Sequence, residues 1–123
     1  MRLRLFLALA VLGASAACGS SSSPMTAPSP TPSTSGTAVS IVRGASTLTS
    51  TAYAPNPVPI PVGGTVMWTN NDTTSHTATA ADGTWNSGTL APGATFSRTF
   101  PTAGSFSYAC TIHPGMVATV TVQ

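Results

Sequence analysis

Side-chain charge is scarce in this chain of 123 residues: four arginines and two aspartates are all it has, with no lysine and no glutamate. Arg2 and Arg4 lie in an N-terminal leader, so the remainder balances Arg43 and Arg98 against Asp72 and Asp82. A neutral surface gives no reason to expect nucleic acid or an anionic membrane face as partner, and no field to steer a charged one. Cysteine is also scarce. Cys18 and Cys110 are the only two, too few to hold an iron–sulfur cluster. Long apolar runs are missing as well: Leu5 to Leu12 falls well short of the roughly 20 residues a membrane-spanning helix needs. No stretch carries a sustained helical period.

What is present begins with export. The basic start Met1-Arg2-Leu3-Arg4, the apolar run and the small residues Gly13 to Ala17 follow the grammar of a signal peptide, expected over residues 1–17. Cys18, followed by Gly19 and four serines, resembles the junction of a bacterial lipoprotein, where the cysteine is lipidated and becomes the new N-terminus. Ser15 departs from the aliphatic residue usual there, and cleavage after Ala14-Ser15-Ala16 is the competing reading. Both export the protein, to a periplasmic or cell-surface location. Residues 18–36 are almost wholly Ser, Thr, Pro, Ala and Gly, a composition that builds no core and serves as a tether.

Over residues 37–123, short β-branched runs alternate with Gly and Pro punctuation, which predicts an all-β domain. Strands are expected at 38–43, 47–51, 58–62, 65–70, 76–80, 94–100, 105–110 and 117–122. Alternation points Val66 and Trp68, Phe106 and Tyr108, and Ala118, Val120 and Val122 inward. Cys110 continues the Phe106–Tyr108 series and should face the interior. Arg98 falls in phase with Phe96 and Phe100, which requires a bulge, an edge position or an outward reach.

The chemistry concentrates in Cys110-Thr111-Ile112-His113-Pro114-Gly115-Met116, a loop between two strands offering a thiolate, an imidazole and a thioether. Sulfur ligands favour Cu(I) and imidazole accepts Cu(II), so the set suits both redox states. His76, the only other histidine, is the candidate fourth ligand, and two His, one Cys and a weak axial Met make the blue-copper set. Structural zinc normally takes four Cys or His ligands, and the domain has three. A lone thiol in an oxidising compartment is also at risk of oxidation, against which a metal bond protects it.

The stretches Val66-Met67-Trp68-Thr69-Asn70-Asn71-Asp72 to His76, Gly88-Thr89-Leu90, Gly93 to Phe96, and Gly104 to Met116 together resemble the cupredoxins of the plastocyanin and amicyanin type. The Cys-x-x-His-x-x-Met spacing is similar to amicyanin. The resemblance implies a Greek-key β-sandwich of about eight strands. It further implies one copper ion bound by His76 and His113 through Nδ1, Cys110 through Sγ and Met116 through a weak axial Sδ. Asn70 would pin the ligand loop, the Thr77 N–H would donate to the Cys110 thiolate, and His113 would be the electron port at the surface. Thr77 and Ile112 stand where family members often have Asn and Pro.

These readings predict a monomeric extracytoplasmic carrier of single electrons between transient redox protein partners. It would touch a membrane only through a lipid on Cys18. A copper storage or delivery protein, and a structural sandwich with a vestigial site, are the alternatives. An enzyme is not expected, because a coordinatively filled metal leaves no open position for substrate.

Overall fold

The computed structural model describes residues 36–123. The leader, Cys18 and nearly all of the tether lie outside the described residues. Eight strands run in chain order: β1 Thr37–Ile41, β2 Tyr53–Ala54, β3 Val58–Ile60, β4 Thr65–Asn70, β5 Thr79–Ala80, β6 Thr95–Thr99, β7 Gly104–Ala109 and β8 Val117–Val122. They form two four-stranded sheets ordered β2-β1-β4-β6 and β3-β8-β7-β5, so the expected all-β sandwich is present. Parallel pairing of β1 with β4 and of β3 with β8 joins strands that are not neighbours in sequence, whereas β7 and β8 pair antiparallel across the 110–116 loop. Among the described residues no helix is long and apolar enough to cross a membrane.

The inner faces follow the alternation. Val66 and Trp68 from β4, Tyr108 from β7 and Ala118, Val120 and Val122 from β8 are buried, while Phe106 is only partly covered. Trp68 anchors the middle of the core, with ring centroids 5.4 Å from Trp85, 5.6 Å from Phe96 and 5.5 Å from Tyr108. Such pairs contribute about 0.5–1.5 kcal/mol each beyond the area they bury. Arg98 resolves as an edge residue: β6 pairs with β4 in unbroken register from Thr95 to Thr99 and has no partner on its other side. Its guanidinium lies 5.5 Å from the Trp85 ring centroid and 5.6 Å from that of Phe100, so the charge caps the aromatic cluster while staying half-buried.

Two local expectations are corrected. Residues 47–51 form no strand; Ala45–Thr47 is a single 3-10 turn opened by Gly44 at φ 74°, a left-handed conformation that favours glycine. The chain there spends its backbone bonds locally, with Leu48 N–H on the Ala45 carbonyl and Ala52 N–H on the Thr49 carbonyl. A short strand follows instead at Tyr53–Ala54, ending where Pro55 supplies no N–H. The expected strand 76–80 survives as Thr79–Ala80 only, because His76 bridges Leu90 and the backbone of Thr77 is committed elsewhere. That commitment builds the site.

Candidate metal centre

Two segments of opposite character meet at one end of the sandwich. The first leaves β4 at Asn70, turns, and delivers His76. Asn70 is fully buried and holds this turn from inside: its Nδ2 donates to the carbonyls of Thr74 and Leu90, and its Oδ1 accepts the Asp72 N–H. Asn70 therefore pins the loop that carries His76. The second segment is the 110–116 loop, closed by the Cys110 N–H on the Met116 carbonyl at 3.0 Å and the Met116 N–H on the His113 carbonyl at 2.9 Å.

Thr77 ties the two segments together. Its backbone N–H donates to Cys110 Sγ at 3.3 Å, as the resemblance implied, and its carbonyl accepts the Tyr53 hydroxyl. Its own Oγ1 accepts the Thr111 N–H at 2.9 Å and lies 3.2 Å from the Thr111 hydroxyl. A buried threonine here links the two segments that carry the candidate ligands through its side chain. The ladder stops at this residue because both of its main-chain polar groups serve the site.

His76, Cys110 and His113 converge, with candidate ligand atoms all within 4.8 Å of one another. Nδ1 of His76 and Nδ1 of His113 each lie 3.9 Å from Cys110 Sγ, too far for a strong hydrogen bond. The spacing suits a metal between them. Bonds of about 2.05 Å to nitrogen and 2.3 Å to sulfur, the zinc values, set the two donor atoms about 3.8 Å apart in a trigonal arrangement. His76, Cys110 and Met116 are 0%, 1% and 0% exposed, whereas His113 is half-buried. Ile112, at 47% exposed, and Pro114 and Gly115 lie on the surface beside it. Burial raises the Tyr53 phenol far above its ordinary range, and the nearby Cys110 adds to this, so the hydroxyl remains a donor to Thr77.

Sequence reasoning missed one member of this assembly. Nε2 of His76, the nitrogen turned away from Cys110, lies 2.8 Å from Oδ2 of Asp72, and both side chains are buried. The other carboxylate oxygen accepts the N–H groups of Gly44 at 3.0 Å and Thr73 at 2.8 Å. The hydrogen bond with His76, followed by those from Gly44 and Thr73, holds the Asp72 carboxyl down to about 2. Asn71-Asp72 reads as a turn signal, which it is. The signal left unused was the general habit of metal-binding histidines of giving their second ring N–H to a carboxylate.

The protein-family model for copper binding proteins, plastocyanin/azurin family, matches residues 41–123. No curated protein sequence matches. Among solved structures, a purple cupredoxin from Nitrosopumilus maritimus is 34% identical with a TM-score of 0.66, over 71% of this chain and 99% of that one. A mutant of amicyanin in its reduced Cu(I) form is 25% identical with a TM-score of 0.61, over 72% of this chain and 83% of that one. A copper-containing nitrite reductase from Thermus scotoductus SA-01 is 25% identical with a TM-score of 0.60, but this chain covers only 22% of that enzyme. The arrangement of His76, Cys110 and His113 with buried Met116 fits one copper ion, as does the match with copper-binding relatives. The chain belongs to the plastocyanin/azurin family of copper-binding proteins.

Proposed function

We propose that this chain is a mononuclear type 1 copper protein, whose ion would be held by His76, Cys110, His113 and Met116, and that it passes single electrons between extracytoplasmic redox partners. The observation that carries the reading is the placement of two imidazole Nδ1 atoms 3.9 Å from one buried thiol. A bound copper would supply a one-electron couple between Cu(I) and Cu(II). The protein contributes rigidity. Asn70 fixes the His76 turn, Thr77 links that turn to the 110–116 loop, and burial keeps water from three of the four donors.

His113 supplies the way out. Its half-buried ring lies among Ile112, Pro114 and Gly115, a small, largely apolar surface without a charged side chain. Brief contact through that surface suits a carrier, and a transfer rate with shallow salt dependence is expected from it. The buried thiolate and His76 weigh against storage or delivery, since neither is open to an incoming chelator. We also read the chain as exported and, like the carriers it resembles, without catalytic turnover.

The test is direct. Addition of Cu(II) to the purified domain should give an intense visible thiolate-to-copper band and reversible voltammetry, and Cys110→Ser should abolish the band. A colourless wild-type product, or colour that survives the substitution, would sink this reading.

A further inference from the structure

The two histidines face the thiol alike but are held differently behind. The chain has only two acidic side chains, and Asp82 is spent on Thr84 at the surface. Asp72 is therefore the only acidic side chain available to either ring, and it lies behind His76 at 2.8 Å. Among the described residues no arginine pairs with Asp72, so no guanidinium neutralises the carboxylate. Its three remaining contacts are fixed as well: Oδ1 accepts from Gly44 and Thr73, and its backbone N–H donates to Asn70.

We propose that Asp72 is a positioning residue for the metal centre. It selects the Nε2–H tautomer of His76, leaving the Nδ1 lone pair for the metal, and its fixed negative charge favours Cu(II) over Cu(I). The inference deepens the copper reading above and rests on it. The tautomer follows from donor and acceptor count: Oδ2 of a carboxylate only accepts, so Nε2 must carry the proton, and a neutral ring then presents an unprotonated Nδ1 toward Cys110. The redox bias follows from charge. A buried carboxylate one imidazole away stabilises the more positive metal state more, in surroundings that screen it little.

Asp72→Asn is the informative substitution because it is nearly isosteric and keeps one oxygen for Gly44 and Thr73. The amide then turns its NH2 toward Nε2, which reverses the hydrogen bond and pushes the ring proton to Nδ1. In the metal-free wild-type protein at alkaline pH, nitrogen NMR should find the His76 proton on Nε2. In Asp72→Asn it should move to Nδ1, while the His113 signals stay unchanged. Asp72→Glu should restore the wild-type His76 pattern. With copper, Asp72→Asn should weaken binding by about 10- to 100-fold. It should weaken Cu(II) at least tenfold more than Cu(I), which raises the potential by about 59 mV or more for one electron.

A His76 proton on Nδ1 in the unaltered apoprotein would overturn the proposal without any variant. So would an Asp72→Asn protein that keeps the wild-type tautomer, or one that loses Cu(I) and Cu(II) affinity equally. Failure of the wild-type protein to form the coloured copper complex, with the tautomer result intact, would instead overturn the copper reading and with it the redox half of this one.

Discussion

His76 and His113 present the same atom to the same thiol at the same 3.9 Å, by opposite means. His76 is fully buried, backed by a carboxylate and carried by a turn with Asn70 at its centre. His113 is half-buried on a loop of seven residues held by backbone bonds between Cys110, His113 and Met116 and by the ties of Thr77 to Cys110 and Thr111, with no side chain among the described residues bonded behind its own ring. On the copper reading proposed above, the difference divides two tasks that one ligand cannot perform together. A ligand that fixes geometry must be enclosed, and a ligand that meets a partner must reach the surface.

The sharpest way to break this comparison is to remove each ring in turn. His76→Ala and His113→Ala should each cost more copper affinity than the 10- to 100-fold expected for losing an outer partner. Added imidazole should restore colour only to His113→Ala, since that site opens to solvent and the His76 site does not; equal rescue of both, read by visible absorption, would erase the distinction.

A smaller effect is expected in acid. The Asp72 carboxyl is held at about 2 in the folded chain against an ordinary 3.8, so its contribution to stability is whole above about 3.8 and is lost as pH falls toward 2. Urea midpoints of the metal-free domain should therefore fall for the wild type across that window, and those of Asp72→Asn should fall less. Smallest of all, Thr77→Val removes the hydroxyl that accepts from Thr111 and should cost about 1 kcal/mol in the metal-free domain. It should leave the thiolate's N–H donor in place, so the visible band should stay close to its wild-type position.

Much of this is legible in the sequence. Strands β4 and β8 have the bounds that alternation assigns them, and Cys110 is buried as its phase with Tyr108 requires. Those segments announce themselves because one face is apolar and the period is two. Residues 47–51 carry β-branched side chains that suggest a strand, but the backbone bonds of the Gly44 turn decide the local structure against propensity. The strand in the 76–80 segment is shorter than its composition suggests for a related reason: nothing in that composition shows that the Thr77 N–H is reserved for a sulfur 33 positions away. Loop spacing located Cys110, His113 and Met116 together, whereas Asp72 looked like any turn aspartate. Its function depends on which way one ring faces, and sequence does not display that.

Arg98 has a bearing on how copies of this protein behave in concentrated solution. Over residues 36–123 only four charged side chains remain, one of them buried, so mutual repulsion does little to keep molecules apart. The unpaired margin of β6 is five residues long and a ready template for another strand, and the arginine one residue from its end is the charge that discourages such docking. What guards this edge is the position of one guanidinium, which the net charge does not report.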